Sequence, residues 1–184
     1  MKKTLILGGA RSGKSSLAET LAKTSEQVTY IATATAFDSE MSQRIKLHQQ
    51  QRPKDWRLLE CPLLLCEALT QLSGSGQTLL VDCLTLWLNN QLYHHPKQDF
   101  ALARQGLADA VSQFEGKLIL VSNEVGMGLV PMGELNRVFV DQQGWLNQQL
   151  ARVCDEVIFV AAGLPLYLKP VSYTHLTLPT TPYV

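Results

Sequence analysis

Eight residues near the start of the chain, Gly8-Gly9-Ala10-Arg11-Ser12-Gly13-Lys14-Ser15, carry the spacing G-x-x-x-x-G-K-S. The glycines permit a tight backbone curl in which successive N–H groups point inward at an anion. Lys14 supplies a charge that reaches the β- and γ-phosphates of a nucleotide, and the Ser15 hydroxyl is of the type that holds Mg²⁺. Downstream, the apolar run Thr78-Leu79-Leu80-Val81 ends in Asp82. A carboxylate at that place faces the bound Mg²⁺ in phosphate-binding loops of this type. Ser15 and Asp82 are therefore the candidate metal ligands. A third chemical group is His48. Met41, Ile45 and His48 fall at i, i+4 and i+7, on one face of the helix expected there. The pattern alone favours a helix-face histidine packed beside Met41 and Ile45 over a chemical role for His48.

These groups need a frame. Thr4-Leu5-Ile6-Leu7 reads as a short buried strand, and Leu17 and Leu21 fall four apart on one helical face just after the glycine loop. Strand, glycine turn, helix is the context the loop requires. Further strands are expected at Gln27–Ala32, Trp56–Cys61, Thr78–Asp82, Lys117–Val121 and Val157–Ala161. Helices are expected at Glu40–Gln51, from Pro62 through Leu72, at Leu84–Leu92, from about Asp99 to Phe114, and from about Gly133 to Val153. The alternation predicts an α/β domain with a mostly parallel sheet and helices on both faces. Gly8–Ser15, Thr33, Glu60, Asp82 and Asn123 should then share the carboxyl edge of the strands.

The chain has 184 residues, 46% apolar and 17% charged, with a formal net charge of zero. That is the composition of one globular domain, without the basic stripe of a nucleic-acid binder. No apolar run reaches membrane-spanning length. A cleaved leader would remove the glycine loop, so a cytoplasmic location is expected. Cys61, Cys66, Cys83 and Cys154 form no C-x-x-C pair and read as small core residues rather than a zinc site. The His94-His95 pair reads as a solvated loop, for want of a suitably spaced partner ligand. Residues 170–184 are rich in Thr and Pro, contain no acid and have no helical period. They read as a flexible or non-native tail beyond a domain of residues 1–169.

Several motifs in order resemble one family. They are Gly8–Ser15; Tyr30-Ile31-Ala32-Thr33; Glu40-Met41 with Arg44, Ile45 and His48; Arg52-Pro53 and Trp56; Asn123-Glu124-Val125-Gly126-Met127-Gly128-Leu129-Val130-Pro131; and Asn147 before Asp155-Glu156-Val157. From about Thr4 to Lys169 the chain resembles the bifunctional adenosylcobinamide kinase/adenosylcobinamide-phosphate guanylyltransferases of cobalamin synthesis. The resemblance implies a RecA-like P-loop NTPase domain. It implies phosphorylation of adenosylcobinamide by ATP or GTP. Transfer of GMP from GTP through a guanylyl-histidine would follow, giving adenosylcobinamide-GDP and pyrophosphate. His48 takes the histidine's role by its place in R-I-x-x-H, with Lys14 as the second catalytic group. Nucleotide contacts carry over to Gly8, Gly9, Ala10, Arg11, Ser12, Gly13, Lys14 and Ser15, to Thr33, Ala34 and Thr35, to Gln49, Gln50, Gln51 and Arg52, and to Glu60 and Asp82. Asp82 stands where relatives also carry Glu. Mg²⁺ and a homo-oligomer, a trimer, are implied as well. The competing readings are a monofunctional P-loop kinase for a small metabolite and a nucleotide-binding regulatory module.

Overall fold

The computed structural model describes residues 2–35, 53 and 55–170. The helix expected over Glu40–Gln51, and with it His48 and the Gln49–Arg52 contacts, lies outside the described residues, as do residues 171–184.

The described elements follow the alternation: β1 (Lys3–Gly8), α1 (Lys14–Ala22), β2 (Val28–Ala32), β3 (Arg57–Glu60), α2 (Leu65–Leu72), β4 (Thr78–Asp82), α3 (Leu84–His94), α4 (Phe100–Gln113), β5 (Lys117–Asn123), α5 (Glu134–Val153), β6 (Glu156–Ala161) and β7 (Leu164–Lys169). They build a seven-stranded sheet in the order β3-β2-β4-β5-β1-β6-β7. Every pairing is parallel except β6 with β7.

Period-two alternation along the strands divides the core. Leu5 and Leu7 of β1, Leu79 and Val81 of β4, and Leu118 and Leu120 of β5 face α2 to α5. Ile6, Leu80, Ile119 and Val121 face Ala18 and Ala22 of α1. The described helices are thus shared unequally between the two faces. Central strands buried on both sides are continuous apolar runs, which is why they were legible. Cys61, Cys83 and Cys154 are buried and Cys66 half-buried. Burial pushes the Cys66 thiol up to about 11 and those of Cys83 and Cys154 up to about 12, so none is a thiolate near neutral pH. Among the described residues no group of three or more His, Cys, Asp and Glu gathers as a metal site.

Two local differences have physical causes. The helix expected from Pro62 begins only at Leu65. The carbonyls of Pro62 and Leu63 accept instead from side chains of α3: Asn90 on Pro62 at 3.1 Å, Trp87 on Leu63 at 3.0 Å and Gln91 on Leu63 at 2.9 Å. The second difference is β7, a strand beyond the last one expected. The chain turns at Ala162 and Gly163, both left-handed (φ 52° and 80°), and returns antiparallel along β6. Consecutive positive φ values at a two-residue turn match the twist of a hairpin. Lys169 closes the strand by donating to the carbonyls of Ala151, Arg152 and Cys154 at 3.2, 3.1 and 2.6 Å, at the end of α5.

Candidate active site

Five strand ends converge on one edge of the sheet. Gly8 pairs with Asn123, and Ala32 pairs with both Glu60 and Asp82. Gly8–Ser15 leaves this edge from β1, and Thr33 follows β2. The carboxyl edge of a parallel sheet is where such folds bind ligands.

The loop itself is curled by two left-handed residues, Arg11 (φ 57°) and Gly13 (φ 96°). No side chain caps α1 and no acid occupies its first turn. Its first N–H groups and positive dipole end are therefore free for an anion. Lys14 is buried and donates to the Gly9 carbonyl at 3.0 Å. Ser12 Oγ is buried without a hydrogen-bond partner. The β6–β7 turn supports the loop from behind, because the Gly163 N–H donates to the Ser12 carbonyl at 2.8 Å. At Gly8 a Cβ would lie 2.5 Å from the Val160 carbonyl oxygen and 2.6 Å from Ser12 Oγ. One of those neighbours is backbone in the sheet, so the loop would have to shift. Gly8→Ala is expected to weaken triphosphate binding at least tenfold, with strain of about 1–3 kcal/mol. Isothermal titration with a non-hydrolysable GTP analogue checks it, and unchanged affinity would show that the loop tolerates displacement.

Asp82 lies at the end of β4, and its Oδ2 accepts from the Tyr30 hydroxyl at 3.1 Å. Burial holds the Lys14 ammonium below the usual lysine range, while Cys83 and Asp82 act in the opposite sense. The Cys83 thiol is itself neutral near neutral pH, so Asp82 is the charge that compensates Lys14. No hydrogen bond among the described residues uses the Ser15 hydroxyl, and Tyr30 occupies one Asp82 oxygen only. One free hydroxyl and one free carboxylate oxygen beside the phosphate loop are oxygen ligands suited to Mg²⁺.

The remaining described candidates differ in what they offer. The Thr33 hydroxyl is fully buried, donating to the Cys83 carbonyl at 2.6 Å and accepting from its N–H at 2.9 Å. Its side chain thus fixes β2 against β4. Ala34 and Thr35 follow, half-buried, and Glu60 is exposed at the end of β3.

A family model described as cobinamide kinase / cobinamide phosphate guanyltransferase matches residues 4–168. The chain belongs to this family. Its relatives include the bifunctional adenosylcobalamin biosynthesis protein CobP of Pseudomonas aeruginosa, 52% identical over 90% of this chain and 96% of that one. The corresponding CobU protein of Salmonella typhimurium is 39% identical, over 90% and 98%. Among solved structures, a prototypical ATPase of a type III secretion system superposes with a TM-score of 0.55 at 10% identity, covering 90% of this chain and 56% of that one. A Pyrococcus horikoshii protein gives 0.54 at 11%, covering 94% and 88%. These likenesses concern the fold, which is that of RecA-like P-loop ATPases.

In this cobinamide kinase family member several supporting residues lay beyond sequence reasoning. Asn90 donates to the Thr33 carbonyl at 2.8 Å as well as to Pro62, pinning the ends of β2 and β3. Thr85 accepts from the Asn123 N–H at 2.8 Å. Gln143 donates to Ser122 Oγ and to Asn147 Oδ1 at 2.9 and 3.0 Å, and Asn147 donates to the Asn123 carbonyl at 3.1 Å. Buried amides of this kind set the strand ends but leave no periodic signal. Of these the family resemblance points to Asn147 alone, without giving it a role.

Proposed function

We propose that the chain phosphorylates the aminopropanol hydroxyl of adenosylcobinamide with ATP or GTP, and then transfers GMP from GTP to the new phosphate. The carrying observation is the family match over residues 4–168 on a sheet edge that gathers the P-loop and Asp82. In the first reaction the acceptor oxygen attacks the γ-phosphorus and the nucleoside diphosphate leaves. The loop N–H groups and Lys14 hold the triphosphate and offset its charge. In the second, an imidazole nitrogen of His48 attacks the α-phosphorus of GTP and expels pyrophosphate. An oxygen of adenosylcobinamide phosphate then attacks the same phosphorus, and the histidine is released. Mg²⁺, held by Ser15 and Asp82, would supply charge neutralisation on the phosphate oxygens. Arg11, Ser12, Thr33–Thr35, Gln49–Arg52 and Glu60 complete the proposed nucleotide contacts.

Incubation with α-labelled GTP and Mg²⁺, followed by mass spectrometry of the products from adenosylcobinamide, tests this reading. Acid-labile label on protein and adenosylcobinamide-GDP are expected. Cobinamide phosphate without protein label would favour a monofunctional kinase. Nucleotide consumption that ignores cobinamide would favour a regulatory module.

The functional unit proposed is residues 1–169, acting in the cytoplasm as a homo-oligomer, a trimer. Because Lys169 ties β7 to α5, truncation after Lys169 should leave the thermal midpoint unchanged, whereas truncation before Leu164 should lower it. Differential scanning calorimetry of the two truncations checks this. A drop for the first would show that the tail packs on the domain.

A further inference from the structure

The segment between β5 and α5 is unlike the other described connections at the carboxyl edge. It reads Glu124-Val125-Gly126-Met127-Gly128-Leu129-Val130-Pro131-Met132-Gly133. Leu129 and Met132 are each 97% exposed, and Met127 and Val130 are nearly as open. Exposed apolar side chains clustered in one loop signify a partner surface rather than a contribution to the fold. The loop is not detached from the site. The Glu124 N–H donates to the carbonyl of Gly8, the first P-loop glycine, at 3.0 Å. Its far end is fixed by Arg137, which donates to the carbonyls of Pro131 and Met132 at 3.1 and 2.7 Å. A cavity of about 140 Å³ beneath it is lined by Val125, Leu129, Val130 and Val140, with Arg137 and Asp141 alongside.

We infer that this loop is the docking surface for the corrin macrocycle of the acceptor, an inference that rests on the proposed function. The acceptor must bring its hydroxyl to the γ-phosphate, and so must bind where the P-loop begins. Of the described connections at that edge, α3 follows Asp82 after one residue, Pro62–Leu64 is tied down by α3, and the β6–β7 turn is closed against Ser12. Among these described connections 124–133 places the most open apolar surface there, the side chains of Met127, Leu129, Val130 and Met132 against the single exposed Leu64. A corrin ring offers methyl-bearing faces to Met127, Leu129, Val130 and Met132. Its amide arms need a donor and an acceptor, which Arg137 and Asp141 supply at the cavity. A second copy of the chain is the rival occupant. The outer edge strand β7 is a separate surface for that purpose, with Leu164, Leu166, Tyr167 and Leu168 exposed and one backbone edge unpaired by the described strands.

The test is the double substitution Leu129→Ser and Met132→Ser in the full chain. Neither side chain is packed, so the fold should be unaffected. Adenosylcobinamide binding is read by equilibrium dialysis through its visible absorbance. GTP binding and sedimentation velocity are measured in parallel. Each apolar side chain buried against a ligand is worth about tenfold or more in affinity. The variant should therefore bind adenosylcobinamide at least tenfold more weakly, with GTP affinity and sedimentation unchanged. Equal corrinoid binding by variant and wild type would overturn the docking surface while leaving the proposed function intact. A changed sedimentation coefficient would assign the loop to self-association and overturn it as well. Failure of the wild type itself to bind adenosylcobinamide would overturn both readings together.

Discussion

Lys14→Ala is expected to lower the rates of both reactions about 10²- to 10³-fold, the usual loss when one preorganised electrostatic donor is removed (~2.7–4 kcal/mol). The argument begins with where the charge sits. Lys14 is buried, its ammonium bonded to the Gly9 carbonyl and compensated by Asp82. In that position it is already desolvated and aimed into the curl of the loop. A triphosphate arriving there meets a charge that needs little reorganisation. The same burial carries a cost in stability. A lysine held below its ordinary range binds its proton less tightly in the fold than in the unfolded chain. Between the depressed folded value and the ordinary one, the unfolded chain holds more protons, so stability rises with pH through that window. Below it, the charge opposes folding. Lys14→Ala should therefore match or exceed the wild type in thermal midpoint near neutral pH while losing activity. Steady-state kinetics of each half-reaction and calorimetry on one preparation check both halves. A variant that loses activity and stability together would make Lys14 a structural residue. Near-normal kinetics in either reaction would mean that the two do not share a triphosphate site.

How much of this was legible in the sequence depended on burial. Leu5-Ile6-Leu7 and Leu79-Leu80-Val81 are apolar throughout because both faces of their strands are covered. Turn glycines and terminal polar residues then mark their ends. That was enough to put Gly8, Asp82 and Asn123 on one edge. The strand β7 escaped because its side chains are almost all exposed and Pro165 stands inside it. At the sheet edge proline is tolerated, since its missing N–H faces away from the ladder. With it went the recognition that the Ala162-Gly163 turn supports Ser12. The buried amides escaped for another reason. Asn90 lies on α3 between Leu88 and Leu92, where composition resembles any amphipathic helix. Only the tertiary structure shows that its neighbours include carbonyls from two strand ends. Tyr30 is similar: a strand tyrosine reads as core, and its hydroxyl's hold on Asp82 depends on the β2–β4 register.

His48→Ala should abolish protein-bound GMP and adenosylcobinamide-GDP formation, yet leave cobinamide phosphate production measurable. The two reactions make different demands on the protein. Guanylyl transfer by the proposed route needs a nucleophile that becomes bonded to the α-phosphorus and is later expelled. The neighbours of His48 cannot substitute. Arg44 and Arg52 present guanidinium nitrogens whose lone pairs are delocalised, and Gln49, Gln50 and Gln51 present amide nitrogens with the same defect. Phosphoryl transfer from the γ-position to a hydroxyl forms no bond to the enzyme. On the proposed route, positioning by the P-loop and charge stabilisation by Lys14 would supply most of what it needs. Removing the imidazole therefore eliminates one reaction and spares the groups on which the other depends. Alanine is the best helix former, so a helix over this segment would be retained. The measurement counts acid-labile label on protein and quantifies the two corrinoid products separately. Loss of both products would place His48 in the shared triphosphate site. Labelled enzyme accumulating at the wild-type rate would assign the nucleophile to another residue, and the R-I-x-x-H segment would then carry nucleotide contacts alone.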